Sequence, residues 1–236
     1  MALPRLNENP EYELEIPSTK QKVRFRPFLV KEEKVLMIAM ESDNQKDILN
    51  TVVNTITTCI NESIEKRNLT TFDVEYLFLK IRAKSVGETS TIGIKCESCG
   101  TSNEVKVNID EVKMHVPDVS GLIKLNDQVS VEMKWPSYEA IINDDIMEKE
   151  SSVDQVFSLI RSSISSIMTE DERFAASDHT TEELDAFIES MDTKQFTQIR
   201  EYVEKMPKLS HPINFTCSHC AAKNNIQLEG MQNFFS

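Results

Sequence analysis

Four of the chain's five cysteines form two pairs with the same internal spacing, Cys96 with Cys99 and Cys217 with Cys220. An offset of 121 residues places the second pair on the first, and the flanking residues then match as well. The matching positions are Ile92 with Ile213, Ile94 with Phe215, Asn103 with Asn224, Val105 with Ile226, and Val107 with Leu228. Apolar residues alternate on both sides of each pair. This pattern predicts that a unit made of a strand, a Cys-x-x-Cys pair and a second strand occurs twice.

The spacing within each pair is typical of a metal site. Two residues between the cysteines allow both sulfurs to bind one side of a tetrahedral ion, and a second pair facing the first completes the coordination. We therefore predict one structural Zn²⁺ in a site of the zinc-ribbon type, bound by Cys96, Cys99, Cys217 and Cys220. Four sulfur ligands leave no position for water or substrate, so the ion would stabilise the fold without performing hydrolysis. Lys95 and Lys223 adjoin the pairs, and we expect them to offset the charge of the thiolates.

Disulfide bonds and a thiol redox site are the two alternative roles for the paired cysteines. Disulfides are typical of secreted chains, whereas residues 1–10 lack the hydrophobic stretch of a signal peptide. A thioredoxin-like redox site places a single Cys-x-x-Cys at the N-terminus of a helix, and neither pair precedes a helical pattern.

The 117 residues between Cys99 and Cys217 exceed the separation in typical ribbons, so we expect an inserted domain between the two halves of the site.

The remaining candidate ligands and nucleophiles do not form an active-site pattern. Cys59 lies in an apolar helical stripe and is predicted to be a buried free thiol. His219 lies between cysteines that outcompete it as ligands, and the histidines elsewhere, His115, His179 and His211, show no ligand spacing. The five dispersed glycines form no phosphate-binding loop, and the sequence contains no Gly-x-Ser-x-Gly elbow. The sequence therefore disfavours an enzyme.

Acidic residues are concentrated in one quarter of the chain. The sequence has 26 Lys and Arg against 39 Asp and Glu, a formal charge of −13, and residues 138–192 hold fifteen acidic and three basic residues. This quarter is either a solvated helical surface or an acidic face for a basic partner. The acidic balance predicts no binding to nucleic acid, and the lack of an apolar run of about 18 residues predicts no membrane span. We expect a soluble, intracellular protein.

Hydrophobic periodicity predicts an α+β fold with four regions. Residues 1–88 should form an N-terminal β-hairpin and helices. Residues 89–135 and 208–230 should form a split, zinc-ribbon-like antiparallel β unit. Residues 136–207 should form an inserted acidic helical layer, whose long first helix covers 153–167, and residues 231–236 a C-terminal tail. Because no long Gly/Ser linker occurs, we expect one compact α+β unit with an inserted layer.

One segment resembles a known protein family. Residues 23–41, which read VRFRPFLVKEEKVLMIAME, together with the ending Phe234-Phe235, resemble the baseplate hub subunit and hub-assembly proteins of T-even-type contractile-tailed phages. The resemblance implies a late, non-enzymatic protein of virion assembly, located in the virion baseplate or in the cytoplasm of the infected bacterium. It implies other hub or tail proteins as partners and brings no catalytic residues, so the zinc prediction depends on the cysteines alone.

Three surfaces are candidates for contact with such partners: the Arg24, Arg26 and Lys31 cluster, the acidic helices of 138–192, and Phe234 with Phe235. The two phenylalanines either fold back into the core or anchor a partner. Two alternative functions are a zinc-ribbon adaptor, such as a transcription-associated interaction module, and a thiol oxidoreductase. The oligomeric state is not predicted.

Overall fold

The computed structural model describes residues 10–42, 44–144, 146 and 151–229, and it confirms the predicted α+β class. Seven α-helices lie within these residues: α1 (Val30–Met40), α2 (Gln45–Cys59), α3 (Thr71–Val86), α4 (Tyr138–Asn143), α5 (Ser152–Ser163), α6 (Thr181–Glu189) and α7 (Thr193–Glu204). Eleven strands accompany them: β1 (Tyr12–Glu15), β2 (Lys22–Phe25), β3 (Thr89–Lys95), β4 (Ser102–Asn108), β5 (Lys113–His115), β6 (Leu122–Lys124), β7 (Ser130–Met133), β8 (Ile164–Met168), β9 (Arg173–Ala175), β10 (Lys208–Thr216) and β11 (Lys223–Glu229). The described strands form four small sheets, and their pairings are antiparallel.

The chain divides into two compact units. The first unit contains the chain up to Lys66, Phe72–His115 and the chain from Lys208 onwards, and the second contains Arg67–Thr71 and Val116–Pro207. The sequence prediction grouped the strands of residues 122–133 with the cysteine pairs. In the structure, β6 and β7 instead pair with β8 and β9 inside the second unit.

The first unit begins with the predicted β-hairpin. Strands β1 and β2 pair so that Glu13 faces Arg24 across the hairpin, while Phe25 is buried. Opposite charges at paired positions stabilise such a register. The turn of the hairpin contacts α3, because buried Asp73 accepts hydrogen bonds from the backbone N–H (2.9 Å) and hydroxyl (2.5 Å) of Ser18.

In its described residues, the first unit contains three helices, α1, α2 and α3, in the region where the sequence predicts helices. Helix α1 begins at Val30, and α3 ends at Val86 before Gly87, whose φ of 131° lies in the region that favours glycine. Val52, Val53 and Ile56 of α2 are buried, and the helix ends in Cys59, which is a free and fully buried thiol as predicted. Burial raises the pKa of Cys59 to about 11, so this thiol stays protonated at neutral pH.

Helix α3 also positions the two cysteine hairpins. We call β3 with β4 the first cysteine hairpin and β10 with β11 the second. Their apolar faces and α3 share one core, in which each fully buried Ile or Leu contributes about 1.5–3 kcal/mol. The buried members from these elements are Leu79, Ala83, Ile92, Ile94, Val107, Leu209, Ile213 and Leu228. Strand β5 adds a third strand beside β10.

The second unit combines the sheet β6–β9 with helices from the acidic region. Its core joins Val131 of β7 to Ile160 of α5, Ile188 of α6 and Ile199 of α7. Within it, the guanidinium of Arg161 donates to both carboxylate oxygens of Asp185 at 2.7 and 2.8 Å. Part of the acidic excess is therefore neutralised internally by a basic residue of the same region.

The predicted helix over residues 153–167 is wrong in its last part. Helix α5 ends at Ser163, and Ile164 begins β8, which pairs with β7 and β9. The hydroxyls of Ser162 and Ser163 donate to the carbonyl of Leu159, a competition with backbone hydrogen bonds that weakens a helix end. Apolar residues at 164 and 167 fit the spacing of a helix, but the serine-rich, β-branched segment favours a strand once a sheet edge is available.

Candidate metal centre

The first cysteine pair lies in the tight turn between β3 and β4. The backbone N–H of Cys96 donates to the carbonyl of Thr101 at 2.9 Å, and the N–H of Gly100 donates to the carbonyl of Cys96 at 2.8 Å. Gly100 has a φ of 73°, a left-handed conformation that glycine adopts without steric cost. The turn therefore presents the side chains of Cys96 and Cys99 from one compact loop.

The second pair occupies an equivalent turn between β10 and β11. The N–H of Cys217 donates to the carbonyl of Ala222 at 2.9 Å, and the N–H of Ala221 donates to the carbonyl of Cys217 at 3.0 Å. Ala221 takes the position of Gly100 and has a φ of 58°. The strand registers agree too, since Ile92 pairs with Val105 and the matching Ile213 pairs with Ile226. The repeat seen in the sequence is thus also a structural repeat.

The structure brings all four sulfurs of the paired cysteines together. The Sγ atoms of Cys96 and Cys220 are 3.7 Å apart, as are those of Cys99 and Cys217, and all four ligand atoms lie within 4.8 Å of one another. Tetrahedral Zn²⁺ with bonds of about 2.3 Å would separate its sulfurs by about 3.8 Å, whereas a disulfide requires about 2.05 Å. The four cysteines can therefore hold a metal ion, and they are free thiols in this structure.

The two cysteines of each pair differ in exposure. Cys96 and Cys217, the first of each pair, are 2 % exposed, whereas Cys99 and Cys220 are exposed. The site therefore has a buried side and a solvent side. Both turns are followed by strands instead of helices, so neither pair has the helix N-terminus that activates a thioredoxin-like thiol.

Hydrogen bonds favour the thiolate form of the two buried cysteines. The backbone N–H groups of Cys220 and then His219 donate to Cys217, and together with an asparagine side chain they lower its pKa to about 6 despite its burial. Burial opposes ionisation of Cys96, but hydrogen bonds from the backbone of Cys99 and Ser98 outweigh it and lower its pKa.

The exposed side of the cluster behaves differently. The backbone N–H of Ala222 donates to Cys220 and favours its thiolate, but contacts with the sulfurs of Cys99, Cys217 and Cys96 outweigh that bond and raise the pKa of Cys220 to about 12. Without an ion the sulfurs therefore share protons. A bound divalent cation would replace those protons with its own charge.

The side-chain donors to sulfur are asparagines, not the lysines expected from the sequence. The amide nitrogen of Asn103 lies 3.5 Å from Cys217 Sγ, and that of Asn224 lies 3.5 Å from Cys96 Sγ. Lys95 and Lys223 are exposed, and within the described residues no hydrogen bond joins either ammonium to a sulfur. The 121-residue offset already matched Asn103 with Asn224, and that match was the signal for a shared role at the site.

No second cluster of this kind occurs in the described ranges. There, the four paired cysteines are the one group of three or more His, Cys, Asp or Glu side chains that could hold a metal ion. His219, inside the second turn, is not part of that group.

The basic residues proposed as a contact surface are engaged within the first unit. Arg24 donates to Glu62 at 2.9 Å, and Arg26 donates to buried Glu32 at 2.9 Å. Lys31 lies 3.3 Å from the same Glu32 carboxylate. Phe234 and Phe235, the tail 231–236 and the acidic residues Asp145, Glu148 and Glu150 lie outside the described residues.

Helix α1 exposes apolar side chains that were not among the surfaces predicted from the sequence. Val30, Met37, Ile38 and Met40 are each more than half exposed, while Leu36 and Glu32 face the interior. Val30 and Met37 are seven residues apart and lie on the same side of the helix, and Ile38 and Met40 flank that side. We call Val30, Met37, Ile38 and Met40 the α1 apolar surface.

Comparison with known proteins identifies one family. A family model described as T4 bacteriophage base plate protein matches residues 9–236. No curated protein and no solved structure matches the chain. Among the helices of the described ranges, none has the length and apolar character that crossing a bilayer requires.

Proposed function

The chain belongs to the family of T4 bacteriophage base plate proteins, and from this premise we propose that it is a non-enzymatic structural or assembly protein of the baseplate hub. The observation that carries the proposal is the family match over residues 9–236, which covers both compact units. The resemblance of residues 23–41 to hub proteins supports the hub in particular.

We further propose that the four paired cysteines bind one Zn²⁺ with a structural role. The donor set supports this assignment, because four thiolates in two turns are typical of a closed zinc site. The two turns flank residues 116–207, so an ion held by both would tie together the chain segments on either side of the second unit. Bound zinc supplies folding free energy to such an arrangement.

The α1 apolar surface is the contact that we assign to the baseplate. Its occupant in this proposal is a different tail protein that buries an apolar face of its own, since family membership implies partners in the tail. Exposed apolar side chains clustered on one helix are typical of protein interaction sites. Methionine is well suited to such a site because its side chain adapts to irregular partners.

Quantitative mass spectrometry of purified phage particles and of lysate from infected cells tests the hub role. A fixed ratio to known baseplate proteins in particles would identify a hub component, and presence in lysate alone would identify an assembly factor. Chemical cross-linking should join the chain to central hub proteins. Cross-links confined to proteins of the baseplate periphery, or absence from both samples, would contradict the proposal.

The assigned contact surface can be tested in whichever of these two samples contains the chain. The double substitution Met37→Gln with Ile38→Gln should reduce the cross-links to hub proteins at least about tenfold, since buried apolar contacts supply much of the binding free energy. Leu122→Gln, at another exposed apolar residue, is the matched control and should leave them unchanged. Unchanged cross-links in the α1 variant, or loss of a self-associated form of the purified chain instead, would contradict a contact with a different tail protein.

A further inference from the structure

Two buried asparagines connect the cysteine hairpins to each other. Asn103 lies at the start of β4 and Asn224 at the start of β11, at matching positions of the repeat. They are 7 % and 4 % exposed, which is rare for a polar side chain unless its hydrogen bonds are satisfied. Each one reaches away from its own hairpin towards the turn of the other.

Asn103 contacts the second turn through both ends of its amide. Its oxygen accepts hydrogen bonds from the backbone N–H of Ser218 at 2.8 Å and from the hydroxyl of Ser218 at 3.0 Å. Its nitrogen donates to the carbonyl of Thr101 at 2.9 Å and lies 3.5 Å from Cys217 Sγ. One side chain thus fixes the turn of the second hairpin and supplies a donor to the buried cysteine of that turn.

Asn224 makes the reciprocal contacts with the first turn. Its oxygen accepts from the backbone N–H of Glu97 at 3.0 Å, and its nitrogen donates to the carbonyl of Ala222 at 3.0 Å. The same nitrogen lies 3.5 Å from Cys96 Sγ. Glu97 and Ser218 are themselves related by the 121-residue offset, so the two sets of contacts obey the same symmetry as the cysteines.

We propose that Asn103 and Asn224 form a reciprocal clasp that holds the two turns face to face and controls how tightly the four-cysteine centre retains its metal ion. The proposal deepens the metal site of the proposed function and rests on it. The oxygen of each asparagine sets the position of the opposite turn. The nitrogen offsets negative charge on the buried sulfur of that turn.

The need for these donors follows from the charge of the site. Four thiolates bring four negative charges to an ion with two positive charges, and the excess is costly where solvent is excluded. Hydrogen bonds to ligand sulfurs spread that charge and orient the ligands. Water can supply such bonds at the exposed Cys99 and Cys220, whereas the buried Cys96 and Cys217 depend on protein donors.

Substitution by aspartate separates the two actions of each asparagine. In Asn103→Asp and Asn224→Asp the acceptor for the opposite turn is kept. The amide nitrogen, which donates to the carbonyl of Thr101 or Ala222 and faces a sulfur, is replaced by a negative oxygen. Asn225→Ala is the matched control, because Asn225 is adjacent in sequence and exposed. Far-ultraviolet circular dichroism of each variant verifies that the full chain is folded.

Zinc affinity is measured with a competing chelator, and the site is also loaded with Co²⁺ to record its sulfur-to-metal charge-transfer bands. Each aspartate variant should bind zinc about 10–100-fold more weakly than the wild type. It should also shift the charge-transfer bands, which report on electron density at sulfur and not on global stability. Asn225→Ala should stay within about twofold of wild-type affinity.

Three results would overturn the clasp. The first is wild-type affinity with unshifted bands in both aspartate variants, which leaves the zinc proposal intact. The second is a wild-type chain that binds neither metal, which removes the metal centre along with the clasp. The third needs no variant: in the wild type, the amides of Glu97 and Ser218 should exchange hydrogen at least about tenfold more slowly than an unstructured chain, and exchange at the unstructured rate would contradict their hydrogen bonds.

Discussion

The two cysteine hairpins have the same register and the same turn hydrogen bonds, yet they differ at the residue after the second cysteine. The first hairpin has Gly100 at φ 73°, and the second has Ala221 at φ 58°. A side chain in the left-handed region costs about 1–2 kcal/mol, which only the second hairpin carries. The comparison indicates that contacts around the turn, such as the hydrogen bonds that both hairpins share, outweigh local backbone preference at Ala221.

The largest effect is expected when either hairpin loses its buried ligand. Cys96→Ser and Cys217→Ser should each lower the free energy of unfolding by more than about 4 kcal/mol, because both remove the bound ion and the folding free energy that it supplies. Chemical denaturation of the metal-loaded proteins measures this loss. If the hairpins are equivalent halves of one site, the two losses agree within about 1 kcal/mol.

Cys59→Ala provides the control for that experiment. Cys59 is buried in α2, outside the cluster, so its substitution should leave metal binding intact. A metal-loaded wild type that is no more stable than the same protein treated with chelator would contradict a structural ion.

An effect of intermediate size concerns the pH at which the thiol of Cys217, in the second hairpin, loses its proton. The pKa of Cys217 is lowered to about 6, against about 8.5 for a free thiol. Above pH 6 this ligand is already a thiolate, so zinc binding displaces one proton fewer than it does below pH 6. Below about pH 6, each drop of one pH unit should therefore reduce the affinity of the metal-free protein for zinc by a further factor of about ten, compared with the same drop above pH 6.

Calorimetry in buffers of different ionisation enthalpy counts the protons released on binding. The number should increase by about one between pH 7.5 and pH 5.5. The free energy of unfolding also decreases at low pH. In the metal-free protein the stability that the Cys217 thiolate contributes is fully present above about pH 8.5, and it is lost as the pH falls through about 6. An equal proton count at both pH values would contradict the assignment of the thiolate to this hairpin.

A smaller effect is expected from exchanging the residues that distinguish the hairpins. Ala221→Gly should stabilise the protein by about 1 kcal/mol, because it removes the side chain from a left-handed residue, and Gly100→Ala should destabilise it by about the same amount. A Cβ atom at Gly100 would meet no atom within 4 Å, so the expected cost comes from the backbone alone. Thermal unfolding of both variants measures the difference, and a destabilising Ala221→Gly would show that the alanine methyl contributes packing instead of strain.

The smallest effect is expected at the lysines beside the pairs. Lys95→Gln and Lys223→Gln should each change zinc affinity by less than about twofold, because both ammonium groups are exposed and surface charges contribute little. Chelator competition measures the affinity. A tenfold loss in either variant would mean that the lysines, and not the asparagines alone, offset the charge of the site.

The sequence predicts the repeated parts of this molecule well, because each repeat supplies independent evidence for the other. The equal spacing of the cysteines and the matching apolar positions predict both hairpins and their shared register. The match of Asn103 with Asn224 is visible in the same alignment of the two halves. Its function is not, because an asparagine reaching from one hairpin to the opposite turn is a contact between residues more than 100 positions apart.

Elements outside the repeat were harder to predict. Ile164 and Ile167 fit a helical face, but β7 and β9 supply strand partners that a local pattern cannot show. The hydrogen bonds from Ser18 to Asp73 were not predicted for the same reason, because they join residues far apart in the sequence. The sequence suggested Arg24 and Arg26 as a contact surface for a partner. In the structure these arginines donate hydrogen bonds to Glu62 and Glu32 of the same unit.

The metal content of the full chain, purified under reducing conditions without added metal or chelator, tests the central claim most directly. Elemental mass spectrometry should find about one zinc per chain, and an alkylating reagent should modify Cys99 and Cys220 only after a chelator is added. A metal-free chain whose exposed Cys99 is alkylated without any added chelator would contradict a four-cysteine metal centre.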